Sequence, residues 1–182
     1  MKREHIGASI AATLVSPSSI IKWRSDPLAY VEQAGLTLSH LDDYSREVFR
    51  NHLANTQIQI LTGPWCLGCK ILVGGTIVGL SAALVVFVGG LVVGTGGADL
   101  PAAPEEVVAG SAVEIAAVAA ETGLTLARVG EVILTVLRGI VAWAKANPAK
   151  AAAFVAAGTF AVGEIVSAIC EALCKACNAC SD

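Results

Sequence analysis

The sequence predicts an all-α protein: a compact bundle of about four hydrophobic Gly/Ala/Val-rich helices, preceded by a small polar helical hairpin. Three observations carry that prediction. Hydrophobic residues make up 55% of the 182 and charged residues only 15%, against a usual quarter charged. No charged residue lies between Lys70 and Asp99. From Pro104 onward, apolar residues recur at helical spacing between turn signals.

The polarity of the chain changes near Thr62-Gly63-Pro64, a turn signal. All three histidines (His5, His40, His52) precede it, and all six cysteines follow it. Two regions are therefore expected, a polar N-terminal segment 1–62 and a cysteine-flanked helical core 63–182.

In the first region, Lys2 and Arg3 precede the apolar run IGASIAATLV, and Ser16-Pro17-Ser18-Ser19 reads as a breaker. The run is short for a secretion signal and reads more simply as an amphipathic terminus. Ser25-Asp26-Pro27 opens a helix that Gly35 closes. Ser39 and Asp42 resemble a capping box for the next helix. On that helix Leu41, Tyr44, Val48 and Phe49 share one face, and Asp43, Arg46, Glu47 and Arg50 fall largely on the other. The segment reads as a water-facing hairpin with one sticky side, gripped by the core or by a partner. His40 and His52 read as solvated helix residues, because nothing near them in sequence completes a metal site.

The core opens with Gln57–Leu61, which alternates as a short extended piece would. The run after Lys70 is long enough to cross a bilayer, which takes about 20 apolar residues as a helix. It would serve equally as the buried central helix of a bundle. Gly75, Gly79 and Ala83, and then Gly90 and Gly94, stand four apart within it, a spacing that lets a second helix pack at close range. Gly94 to Pro104 reads as a loop. Helices are expected from Pro104 to about Thr122, from about Thr125 to Ala146 and from Pro148 to the last cysteines. The second of these carries Leu126, Val129, Ile133, Val136, Leu137, Ile140 and Val141 on one face.

The six cysteines form Cys66-x-x-Cys69, then a long gap, then Cys170, Cys174, Cys177 and Cys180. Three readings stay open. Disulfides between the two groups would each close a loop of roughly 100 residues, with stabilisation of about 4 to 5 kcal/mol in the chain-entropy model. Alternatively, Cys66, Cys69, Cys174 and Cys177 form a zinc tetrathiolate. In the third reading all six are thiols on helix faces. Spacing alone does not assign pairs.

No catalytic motif is present. The core lacks histidine, so it forms neither a Cys-His pair nor a Ser-His-Asp set, and its glycine-rich pieces lack the lysine of a phosphate loop. The expectation is a non-enzyme without a cofactor. The net charge of −3 gives no reason to expect nucleic acid.

Two resemblances add to this reading. The stretch IIKWRSDPLAYVEQAGLTLS, with its DP-x-A and AG phrases, resembles the leader peptides of ribosomally made, modified peptides. This implies maturation or export machinery binding residues 20–55. CLGCKILVGG together with GEIVSAICEALCKACNAC is similar to halocin-type bacteriocin domains, over about Cys66 to Cys180, with fewer cysteines and a longer centre. This second resemblance implies an antimicrobial peptide precursor that is secreted after leader removal and acts on a lipid membrane, with a homo-oligomer left open. Two alternatives stand beside it. One is a resident cell-membrane protein of holin, immunity or accessory type, and the other a zinc-stabilised helical adaptor.

Overall fold

The computed structural model describes residues 3–14, 16–56, 64–93 and 103–180. Among these residues the protein is all-helical. The expected extended piece Gln57–Leu61, the Thr62-Gly63 boundary and Gly94 with most of its loop lie outside them.

Four helices precede the core. They are α1 (Arg3–Thr13), α2 (Pro17–Ser25), α3 (Pro27–Gln33) and α4 (Asp43–Asn55). The expected breaker at Ser16 instead starts α2: the Ser16 hydroxyl accepts from the Ser19 amide while Ser19 reaches back, a reciprocal cap. Asp26 caps α3 with Pro27 in its first turn. That helix ends at Gly35, whose φ of 94° lets the Gly35 and Leu36 amides fold back onto the Glu32 and Val31 carbonyls. The cap of α4 is Asp42, which accepts from the Ser45 amide at 2.7 Å. The box expected at Ser39 is thus displaced by three residues, because a carboxylate at Asp42 reaches the first-turn amides directly.

The glycine-rich region forms α5 (Pro64–Ile77), a 3₁₀ turn (Val78–Leu80) and α6 (Ser81–Val93). Five more helices follow: α7 (Pro104–Ala109), α8 (Ala112–Thr122), α9 (Leu126–Ala146), α10 (Pro148–Ala156) and α11 (Thr159–Ala176). The long helices expected in the core are therefore interrupted, save α9. Ser111 divides one; its hydroxyl donates to the Val107 carbonyl. Gly158, at a φ of 58°, divides another. Gly123 (φ 73°) closes α8, and Thr125 caps α9 through the Arg128 amide.

α5 is the centre, with α1, α4, α8 and α11 packed around it. Ile71, Val73 and Ile77 of α5 are inaccessible, as are Val166, Ile169 and Leu173 of α11. The N-terminal helices supply core residues of their own: Ile6 and Ile10 from α1, Trp23 from α2, Val31 from α3 and Val48, Phe49 and Leu53 from α4 are all buried. Each such side chain removed from water contributes roughly 1.5–3 kcal/mol. Of the sticky side of the polar segment, Val48 and Phe49 are thus gripped by the core, Leu41 is half-buried against it, and Tyr44 stays 37% exposed. α9 buries Val129, Val132, Ile133 and Leu137 as its periodicity requires, while Leu126 stays 57% exposed at the helix start.

Candidate functional site

The cysteines converge where the start of α5 meets the end of α11. Cys66 is bonded to Cys180, and Cys69 to Cys174. Cys170 and Cys174 lie one turn apart on α11, with Cys177 at its C-cap. The first bridge depends on how α11 ends. Asn178 adopts a left-handed φ of 56°, its amide reaches the Lys175 carbonyl, and the Ala179 amide reaches the Cys174 carbonyl. This is a Schellman turn with asparagine in the place usually taken by glycine. It reverses the chain so that Cys180 faces Cys66. Cys170 and Cys177 take part in neither bridge. Cys170 is fully buried, and the Cys177 sulfur lies 4.0 Å from that of Cys69. The zinc arrangement of Cys66, Cys69, Cys174 and Cys177 is not formed, because disulfides take up three of its four sulfurs. Among the described residues no group of three or more His, Cys, Asp or Glu side chains is disposed to hold a metal ion.

A turn along from the bridges, α4 crosses α5 and α11 at close range. His52 is 1% exposed, contrary to its expected solvation. Its Nε2 donates to the Lys70 carbonyl at 3.0 Å, so its Nδ1 accepts from the Ser167 hydroxyl at 2.9 Å. The ring also stacks on Phe49. Loss of hydration holds its pKa down at about 4, with the Lys70 charge acting in the same direction and the bond to the Lys70 carbonyl opposing both. The imidazole is therefore a neutral pin joining three helices. Nothing around His52 in sequence signals this, because its partners are a backbone carbonyl and a serine 115 residues away.

Two glycines make room for that crossing. A Cβ on Gly74 would stand 2.4 Å from His52 Nε2, and one on Gly163 would stand 2.8 Å from Asn51 Cβ. Neither belongs to the expected ridge. Of the ridge residues, Gly75 lies under Phe49 and Leu36, and Gly79 under the Glu114 side chain of α8. Ala83 is half-buried against the core, Gly90 is buried, and Gly94 is outside the described residues. The small residues of α5 accept side chains from the N-terminal helices and α8.

Trp65–Leu91 is the one described helix long and apolar enough to cross a membrane by itself, with a mean hydropathy of 2.5. Within it α5 is covered by four helices, whereas α6 is covered on one face only: Leu84, Phe87 and Leu91 are buried, but Val85 and Val86 are 41% and 59% exposed. Val136, Ile140 and Trp143 of α9 form an apolar groove of about 340 Å³ with Phe154, Ile165 and Ala168. The Trp143 and Phe154 rings meet edge to face there. His40 is exposed, on the rim of a second cleft beside Leu36 and Leu41.

No protein-family model, no curated protein and no solved structure matches this chain.

Proposed function

We propose that this chain is a bacteriocin-like precursor whose helical core, freed of residues 1–62, acts on target membranes. The observation that carries this reading is the pairing of an apolar, glycine-rich helical region closed by Cys66–Cys180 and Cys69–Cys174 with an N-terminal segment seated on its glycines. Structural disulfides are characteristic of secreted and cell-surface proteins and rare in reducing compartments. A segment that fills the close-approach positions of α5 keeps those positions from other helices until it is removed. In this reading the stretches 64–93, 104–122, 126–146 and 148–176 form the four-membered bundle, and residues 1–62 form its leader hairpin. Residues 63–182 carry nine acidic and six basic side chains, so insertion draws on apolar surface such as Val85, Val86 and Phe160.

The test is to cut the oxidised protein within residues 57–63, separate the two pieces in mild acid, and add the larger one to dye-loaded phospholipid vesicles. Release by the disulfide-bonded fragment, with none by the uncut chain, supports the proposal. An inert oxidised fragment sinks it. The second reading, a resident membrane protein, is favoured by the length and hydropathy of Trp65–Leu91. It is the one to adopt if cells keep the chain whole in the membrane fraction with all six thiols open to direct alkylation.

A further inference from the structure

The Cys69–Cys174 bridge is sealed from solvent, both residues being 0% exposed. In the folded state neither sulfur is open to direct attack by a thiol in solution. The Cys177 sulfur lies beside the bridge, its Sγ 4.0 Å from Cys69 Sγ. Cys177 is only partly buried, so it has both the bridge and the surface within reach. Its position follows from the turn that ends α11. Cys174 and Cys177 are three apart on one helical face, and the Cys177 thiol donates to the Cys174 carbonyl at 3.5 Å. A sulfur of α11, Cys174, and the sulfur of its C-cap, Cys177, therefore compete for one sulfur of α5.

We propose that Cys177 is an exchange thiol for this buried bridge, and that the protein interconverts between a 69–174 and a 69–177 clip. The step is thiol–disulfide exchange. The Cys177 thiolate attacks Cys69 Sγ, a 69–177 S–S bond forms, and the 69–174 bond breaks with its electron pair left on Cys174 Sγ. One proton leaves Cys177 and one is taken up by Cys174, so the number of disulfides and thiols is unchanged and no oxidant is consumed. The clip moves one helical turn toward the end of α11. In the new isomer one sulfur of the bridge is at the partly exposed position 177, open to solution thiols. Cys170, on the same face and fully buried, is beyond the reach of such reagents. The inference stands on the sulfur geometry alone and is independent of the membrane reading.

The experiment uses the full oxidised chain, held at pH 8, quenched in acid and mapped by peptic digestion without reductant. Two isomeric linkages, 69–174 and 69–177, are expected, with their ratio frozen by the quench. The C177S variant is expected to show the first linkage alone, and to lose it to dithiothreitol at least about tenfold more slowly than the parent chain. The C174S variant is expected to form the 69–177 bond with its helical circular dichroism retained. A parent chain that yields only 69–174, with Cys177 wholly alkylated and Cys174 never, overturns the proposal. So does a folded C174S chain that leaves Cys69 and Cys177 reduced under the same oxidation. Should C174S not fold, the map of the parent chain decides by itself.

Discussion

α5 and α6 are halves of one apolar, glycine-rich run, and the fold treats them differently. Both disulfides attach to α5 through Cys66 and Cys69, and four helices surround it. α6 carries no cysteine, and it leaves Ala82, Val85, Val86 and Gly89 exposed. Similar composition thus yields a fixed axis in one half and an open apolar face in the other. Hydrophobicity alone does not decide burial here. The deciding factor is whether particular neighbours fit the glycines, as His52 and Phe49 do at Gly74 and Gly75 while nothing approaches Gly89.

Removing the anchors of α5 has the largest expected effect. Replacing Cys66, Cys69, Cys174 and Cys180 together by serine removes both nested bridges, whose partners stand 114 and 105 residues apart. It should cost about 7 kcal/mol of unfolding free energy in the chain-entropy model, read from the urea midpoint against that of the oxidised protein. The G74A variant comes next. Its methyl group would displace the ring that binds the Lys70 carbonyl, and overpacking plus the lost bonds should cost about 3 to 4 kcal/mol.

Acid attacks the same pin. His52 takes a proton at 6.5 when unfolded but only at about 4 when folded. The unfolded chain therefore binds more protons throughout that window. Stability from this group is complete above pH 6.5 and falls as the pH drops toward 4, by roughly 3 kcal/mol in all. Denaturant midpoints across that range check the slope, and the His52 ring resonances give its pKa directly. The smallest effect belongs to α6. G89A meets open space and should raise stability by about 0.5 to 1 kcal/mol through helix propensity alone. A destabilised G89A would show that α6 is covered as closely as α5.

Much of this architecture was legible in the sequence because it rests on local signals. Asp26-Pro27 and Gly35 delimit α3, Gly123 and Thr125 separate α8 from α9, and the spacing of Val129, Ile133 and Leu137 marks the face that α9 buries. The glycine spacing pointed to close packing, yet it favoured Gly75 and Gly79 over the tighter Gly74. Spacing along one helix says nothing of what lies opposite. His52 was misjudged for the same reason, since Ser167 and the Lys70 carbonyl reach it only through the fold. The cysteine clusters were visible as clusters. Their pairing was not, because it depends on the left-handed turn at Asn178.

Nested bridges between Cys66 and Cys180 give the core the topology of a ring. The polypeptide from one to the other is a covalently closed circuit, with the N-terminal helices attached to it as a tail. A protease that cuts this circuit once, anywhere between Lys70 and Leu173, adds one water to the mass and releases nothing. Only a second cut frees a fragment. A molecule so closed tolerates a first nick in protease-rich surroundings as a linear chain of the same length does not.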